Sequence, residues 1–241
     1  MSNTYESDKL LAEYLLFHYG TDDDLLPWQD GPRDALAFPQ RCAHKVIDHA
    51  NLFGSVLDLG CAVGRSTFCL AEHFEHALGI DFSEAFINAA NALRDEGECT
   101  ISISEEADRT RDVNISAPTG SPAFEHGDAC ALRDDLGSYD ALLMANLICR
   151  LHTPEACIDR LPQLVNSGGI LVITTPNTWL EEFTPREKWI PQKSQSTLEG
   201  LQALLAPAFE LIETDNLPFL IREHARKFQW TVAEASVWRR N

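Results

Sequence analysis

Three aspartates stand where short apolar runs end: Asp58 in SVLDL, Asp81 in HALGID and Asp128 just after PAFEHG. Asp58 opens the stretch DLGCAVGRST, with Gly60, Ala62 and Gly64 at alternate positions. Glycines let backbone approach a ligand closely, and the free N–H groups that begin the next helix suit a carboxylate. The Asp58 carboxylate attracts an ammonium group, so the loop suits a ligand that carries an amino-acid moiety. Asp81 lies twenty-one positions after Gly60, the distance at which an acidic residue in nucleotide-binding folds accepts ribose hydroxyls. A dinucleotide loop, G-x-G-x-x-G, would need glycine where Ala62 and Arg65 stand, which disfavours a nicotinamide-dependent oxidoreductase. Taken singly, Asp58 reads as a turn cap and Asp81 as a helix-start partner of Ser83. In order, at spacings suited to βαβ units, the three acids read as a ligand-binding edge.

The elements that must carry these residues are legible as alternating strands and helices. The apolar runs SVLDL, HALGID, PAFEHG, YDALLMAN and GGILVITT read as buried strands, and residues 65–73, 84–94 and 154–165 have helical periodicity. FELIETDNLPFLI and KFQWTVAEASVWRR read as a closing hairpin that sets Phe228, Trp230, Val232 and Trp238 on one face. The expected fold is α/β, a doubly wound, mostly parallel seven-stranded sheet with an antiparallel last strand. Ahead of it, Ser7 to Tyr19 predicts a helix stopped by Gly20, residues 21–39 a loop, and residues 39–50 a second helix. The whole is expected to be one domain, with residues 1–53 a helical lid or extension and 54–241 the core. Residues 99–122 are too long and polar for an ordinary connection and read as an excursion or small hairpin.

Composition narrows the function classes. Nineteen Lys and Arg against 37 Asp and Glu leave no broad basic surface for a phosphate backbone, so no nucleic-acid partner is expected. Seven scattered cysteines form no CxxC pair with metal-ligand spacing, so they read as reduced thiols and no metal is expected. The start MSNTYESDKL has no basic region leading into an apolar one, and no apolar run nears the roughly twenty residues that cross a bilayer. A cytoplasmic protein without a membrane partner is expected.

The spacing Gly60-x-Ala62-x-Gly64 after an acid, with Asp81 and the pair Asp128 and Ala129 at later strand ends, resembles the class I S-adenosylmethionine-dependent methyltransferases. These usually have glycine at all three loop positions, so Ala62 is a departure. The resemblance implies S-adenosyl-L-methionine as cofactor and S-adenosylhomocysteine as product. It implies cofactor contacts from Asp58, Gly60, Cys61, Ala62 and Gly64, from Asp81 and Phe82, from Asp128 and Ala129 near the adenine, and from Asn146.

The stretches YESDKLLAEYLLFHYG, GPRDALAFPQRC, GDACALRDDLGSYDALLMANLICRL and TPNTWLEEFTPREKWI resemble a narrower family, the 4-mercaptohistidine (5-thiohistidine) N1-methyltransferases of ovothiol biosynthesis. That likeness implies methyl transfer to an imidazole nitrogen of 5-thiohistidine, giving ovothiol A. It also implies a functional partner, an iron-dependent sulfoxide synthase, which in many relatives is the front half of the same protein. The alternative is histidine or another small metabolite as acceptor, and a different class again is a non-catalytic cofactor-binding scaffold.

Candidate acceptor residues follow. Asn146 would orient the imidazole and Arg150 would grip an α-carboxylate through two parallel hydrogen bonds. Glu182, or its neighbour Glu181, would accept the substrate ammonium or a ring proton. Tyr14, Phe17, His18 and Tyr19 on the first helix, with Trp179, would enclose the ring and exclude water, and His18 would be a general base. The plainer readings are a surface ion pair for Arg150, a solvated turn for the glutamates, and core packing for the aromatics and a neutral His18.

Overall fold

A computed structural model describes residues 6–241; the first five residues, with which the polar start MSNTYESDKL and the resemblance stretch from Tyr5 begin, lie outside the described residues. The chain begins with α1 (Asp8–Tyr19), α2 (Asp22–Leu25) and α3 (Phe38–His49), then enters the alternating core at β1 (Ser55–Leu59). There follow α4 (Arg65–Ala71), β2 (His76–Asp81), α5 (Glu84–Glu96), the hairpin β3 (Glu98–Glu106) and β4 (Arg109–Ser116), and β5 (Ala123–His126). The rest is β6 (Tyr139–Ala145), α6 (Pro154–Leu164), β7 (Val165–Thr175), α7 (Thr197–Leu205), β8 (Phe209–His224) and β9 (Lys227–Arg240).

Seven strands form one sheet in the order β5-β2-β1-β6-β7-β9-β8, with β9 antiparallel to both of its neighbours and the other pairings parallel. This is the expected doubly wound sheet, and its central strands read as continuous apolar runs because both faces are covered. Val56, Ala141, Leu143, Ile170 and Val172 pack under α3 and α4, while Leu57, Leu59, Leu142, Met144, Leu171 and Ile173 pack under α6 and α7. Among the described residues no helix is long and apolar enough to cross a membrane.

Local chemistry explains where the elements begin and end. Ser7 caps α1 by accepting the Leu10 N–H at 3.3 Å, and Gly20 closes it by donating to the Leu16 carbonyl. The expected loop 21–39 holds one helical turn, α2, because Thr21 and Asp24 cap each other reciprocally. Strand β7 starts at Val165, three residues before the expected GGILVITT, directly from the end of α6. Helix α7, capped by Ser196 on the Glu199 N–H, has no counterpart in the sequence reading.

The expected excursion is the hairpin β3–β4, paired apart from the main sheet with Ile101 opposite Val113 and Cys99 opposite Ile115. Its apolar face joins a third core with Leu15 and Leu16 of α1, Leu25 and Leu26, Ala62 and Val63, and Phe86 and Leu93 of α5. Strands β8 and β9 run on as a two-stranded ribbon beyond the end of β7, whose last partner is Glu234. Phe228, Trp230, Val232 and Trp238 fall at alternate positions of β9, but the ribbon makes their burial unequal: Trp238 is 1% exposed beneath α6 and α7, whereas Trp230, past the sheet, is 55% exposed. Buried Arg222 ties the ribbon to the roof, donating to Glu105 at 2.6 Å and to the Asp24 carbonyl. The extension, hairpin and ribbon tip are thus held together over the carboxyl edge.

Candidate active site

The register of the sheet brings the sequence-marked acids to one edge. Leu59 pairs with Ile80 and Asp81 with His126, so the segments after β1, β2 and β5 leave side by side. On the other side of β1, Ala145 pairs with Thr174, which places Asn146 at the end of β6.

The loop 60–64 is built from left-handed backbone: Gly60 has φ 81°, Ala62 φ 49° and Gly64 φ 90°. Ala62 therefore occupies a conformation that costs an L residue about 1–2 kcal/mol, a backbone state that glycine adopts freely. Part of that cost is offset by Asp81, whose Oδ2 accepts the Ala62 N–H at 2.8 Å while its Oδ1 accepts the Ser83 N–H at 2.9 Å. Burial raises the Asp81 carboxyl pKa, and the N–H donors of Ser83, Ala62 and Phe82 oppose that shift. Each oxygen keeps a further lone pair for a diol.

Asp58 is fully buried on the α3 and α4 face, where its Oδ2 accepts from the Ser66 and Thr67 hydroxyls, both at 2.7 Å. Among the described residues its Oδ1 has no hydrogen-bond partner. Burial pushes its carboxyl up to about 6, against the pull of the two hydroxyls. An orphaned buried carboxylate oxygen fits an incoming ammonium group. The Cys61 thiol is buried beside Gly79, where a Cβ would stand 2.9 Å from its sulfur, and burial raises its pKa far above the usual range. Cys61 serves the loop through backbone, its carbonyl accepting the Gly64 N–H.

Phe82 presents a 56% exposed ring beside Asp81, with the His126 ring 6.0 Å away and His126 Nε2 2.9 Å from the Phe82 carbonyl oxygen. Asp128 is exposed and braces its turn by accepting the Cys130 N–H at 2.8 Å; Ala129 beside it is buried. Asn146 is left-handed at φ 54°, and its Oδ1 accepts from the Thr174 hydroxyl at 3.1 Å. The Asn146 amide nitrogen is left to donate to a ligand, and a neutral amide does not act as a base.

Several expected acceptor residues are placed elsewhere. Phe17 is core, its ring 6.2 Å from both Phe38 and Phe219. Trp179 is also core, packed with Ile190 and Leu201, its indole N–H on Thr197 Oγ1 at 3.0 Å. Arg150 ties a loop down: Nη1 donates to the Thr178 carbonyl at 2.6 Å, and the guanidinium lies 5.0 Å over the Phe183 ring. Glu182, like Glu181, is on an exposed turn with no hydrogen bond or ion pair among the described residues. Tyr14 stacks on His18 and packs 4.8 Å from Phe86. His18 is 7% exposed and neutral, its pKa lowered to about 3 by burial and by the charge of Arg65, which removes it as a base near neutral pH. Tyr19, expected with these residues on the first helix, donates its hydroxyl to the Val63 carbonyl at 2.7 Å and fastens α1 to the loop. The sequence reading missed Thr174, which was signalled only by polarity inside an apolar run.

Similar folds occur among solved structures. The N-methyltransferase NodS from Bradyrhizobium japonicum WM9, solved with S-adenosyl-l-homocysteine, is 16% identical over 95% of this chain and 98% of its own, with a TM-score of 0.55. A protein described as an S-adenosylmethionine-dependent methyltransferase from Methanosarcina mazei is 15% identical over 81% of this chain and 96% of its own, with a TM-score of 0.56. YcgJ from Bacillus subtilis is 12% identical over 83% of this chain and 98% of its own, with a TM-score of 0.56. At these identities the likeness is one of fold. Among curated proteins none matches the sequence. The family described as "Methyltransferase domain" matches residues 28–231, from the second half of the extension to the start of the last strand. The chain belongs to this methyltransferase-domain family.

Proposed function

We propose that the chain is an S-adenosylmethionine-dependent methyltransferase that methylates an imidazole ring nitrogen of 5-thiohistidine to give ovothiol A. The observation that carries the cofactor assignment is the Asp81 carboxylate holding the left-handed Ala62 N–H while keeping lone pairs for ribose hydroxyls. The same edge supplies the unpartnered Asp58 Oδ1 for an ammonium, the exposed Phe82 ring for a purine face, and a second Asp128 oxygen for an exocyclic amine. When bound, the cofactor supplies a methyl group on a sulfonium, a leaving group that needs no further activation.

The residues of the chain then have positioning to do. A ring nitrogen lone pair forms the N–C bond as the S–C bond breaks, the electron pair goes to sulfur, and the ring loses its proton to solvent. The acceptor's own thiolate competes for the methyl. Asn146, held by its Thr174 partner, orients the acceptor by an amide hydrogen bond to the thiolate sulfur, leaving the attacking ring nitrogen free. Helix α1, fastened by Tyr19, excludes water from the edge.

The acceptor assignment rests on the resemblance of the four long stretches named above; histidine or another small metabolite is the alternative. An iron-dependent sulfoxide synthase is the partner that would furnish the thiohistidine. Incubation with S-adenosylmethionine and 5-thiohistidine, and separately with histidine, followed by mass analysis, tests the assignment. A mass gain of one methyl group on 5-thiohistidine alone is expected, and no gain on it would overturn the acceptor.

A further inference from the structure

Two groups beside the glycine loop have no part in the site so far described. Arg65 is the first residue of α4, directly after left-handed Gly64. It is half-buried, and among the described residues its guanidinium makes no hydrogen bond or ion pair. In a chain with 37 acidic residues to 19 basic ones, a half-buried arginine without a counter-charge is an anomaly. His18 is the second group: its ring lies between Tyr14, Phe17 and Tyr19, at centroid distances of 6.0, 5.3 and 6.2 Å, and its buried Nδ1 has no partner among the described residues.

The two belong to one place. Tyr19, next after His18, bonds to Val63, two residues before Arg65. The positive field of Arg65 reaches both His18 and Tyr19. A guanidinium gives a carboxylate two parallel N–H donors, and a neutral imidazole adds a third donor without a competing charge. Arg150, from which this role was expected, has its Nη1 committed to Thr178.

We infer that Arg65 and His18 form a carboxylate-binding subsite beside the glycine loop that takes the α-carboxylate of an amino acid. This deepens the proposed function and rests on it. The carboxylate has two sources there, the methionine part of the cofactor or the amino-acid acceptor, and binding measurements separate them.

Calorimetry on the full chain compares S-adenosylhomocysteine with its decarboxylated counterpart. With saturating S-adenosylhomocysteine it then compares 5-thiohistidine with its decarboxylated amine. Wild type is expected to prefer the carboxylate form of at least one pair by about tenfold to a hundredfold, and Arg65→Gln to lose that preference. His18→Gln is expected to lose part of it. Loss on the first pair assigns the cofactor as source, and loss on the second assigns the acceptor. Arg65→Lys, which keeps the charge but not the paired donors, carries the test if Arg65→Gln does not fold. A variant that retains wild-type preference on every pair that binds overturns the subsite while the methyltransferase reading stands. Failure of wild type to bind S-adenosylhomocysteine overturns both, and failure to bind 5-thiohistidine alone overturns the acceptor and leaves the first pair to decide the subsite.

Discussion

The Tyr19 hydroxyl donates to the Val63 carbonyl across 2.7 Å, joining the first helix to the loop that Asp81 grips from the other side through Ala62. A helix fastened to the backbone of the glycine loop would link binding to stability. Tyr19→Phe keeps the ring but leaves a partly buried carbonyl without its donor, at a cost of about 1–2 kcal/mol. Thermal unfolding should show a Tm lower by about 2–6 °C, and S-adenosylhomocysteine should bind more weakly. An unchanged Tm with unchanged affinity would show that the latch does nothing.

Asp58 sets stability against binding. Its carboxyl, raised to about 6 by burial, is harder to ionise in the folded state than in the unfolded chain. The ionisation penalty is absent below about pH 4 and complete above about pH 6, so this group removes stability as pH rises through that window. Asp58→Asn should flatten that part of the stability profile in urea titrations, and at pH 7 stabilise the ligand-free protein by about 1–3 kcal/mol. The same variant should bind S-adenosylhomocysteine about tenfold more weakly, for want of a counter-charge to the ammonium. A variant less stable than wild type at pH 7 would contradict the account.

His18 acts in the opposite sense. Its pKa, about 3 in the folded protein, lies below the unfolded value of 6.5, so the folded state stays neutral where the unfolded chain takes up a proton. Stability from this group is complete above pH 6.5 and is lost as pH falls towards 3, by about 2 kcal/mol at pH 5. His18→Phe should remove that acid-side loss in denaturant unfolding measured from pH 7 down to pH 5. A variant with the same acid slope as wild type would mean that His18 is not the buried neutral imidazole described.

Much of this was readable from residue order. The strands announced themselves because central parallel strands are apolar on both faces, and the edge acids because each ends such a run. Length and polarity marked residues 99–122 as an excursion or small hairpin but not what it covers, since its partners in α1 and α5 are distant in sequence. The aromatics were ambiguous for a physical reason: at helical or loop spacing, Phe17 and Trp179 look alike whether they face a ligand or the core. Arg150 was ambiguous similarly, because a guanidinium near a strand end serves a carbonyl such as that of Thr178 as readily as a carboxylate. Ala62 looked like a weakened glycine position, and the structure shows it in the glycine conformation itself, with Asp81 as compensation.

Trp179 tests the core assignment. Trp179→Ala should destabilise by about 3–5 kcal/mol through the cavity it leaves. Trp179→Phe should cost less and leave kcat/KM at a temperature well below Tm within about twofold of wild type, because no contact to the acceptor is removed. A large rise in KM for the acceptor at unchanged Tm would return Trp179 to the acceptor site.

The central claim, a cofactor site for S-adenosylmethionine at the loop gripped by Asp81, is tested most directly by calorimetric titration with S-adenosylhomocysteine, with NAD as control. Wild type should bind one equivalent of S-adenosylhomocysteine and no NAD, and Asp81→Ala should weaken binding by about tenfold or more through loss of the ribose contacts and of the Ala62 anchor. Absence of S-adenosylhomocysteine binding, or an affinity untouched by Asp81→Ala, would contradict it.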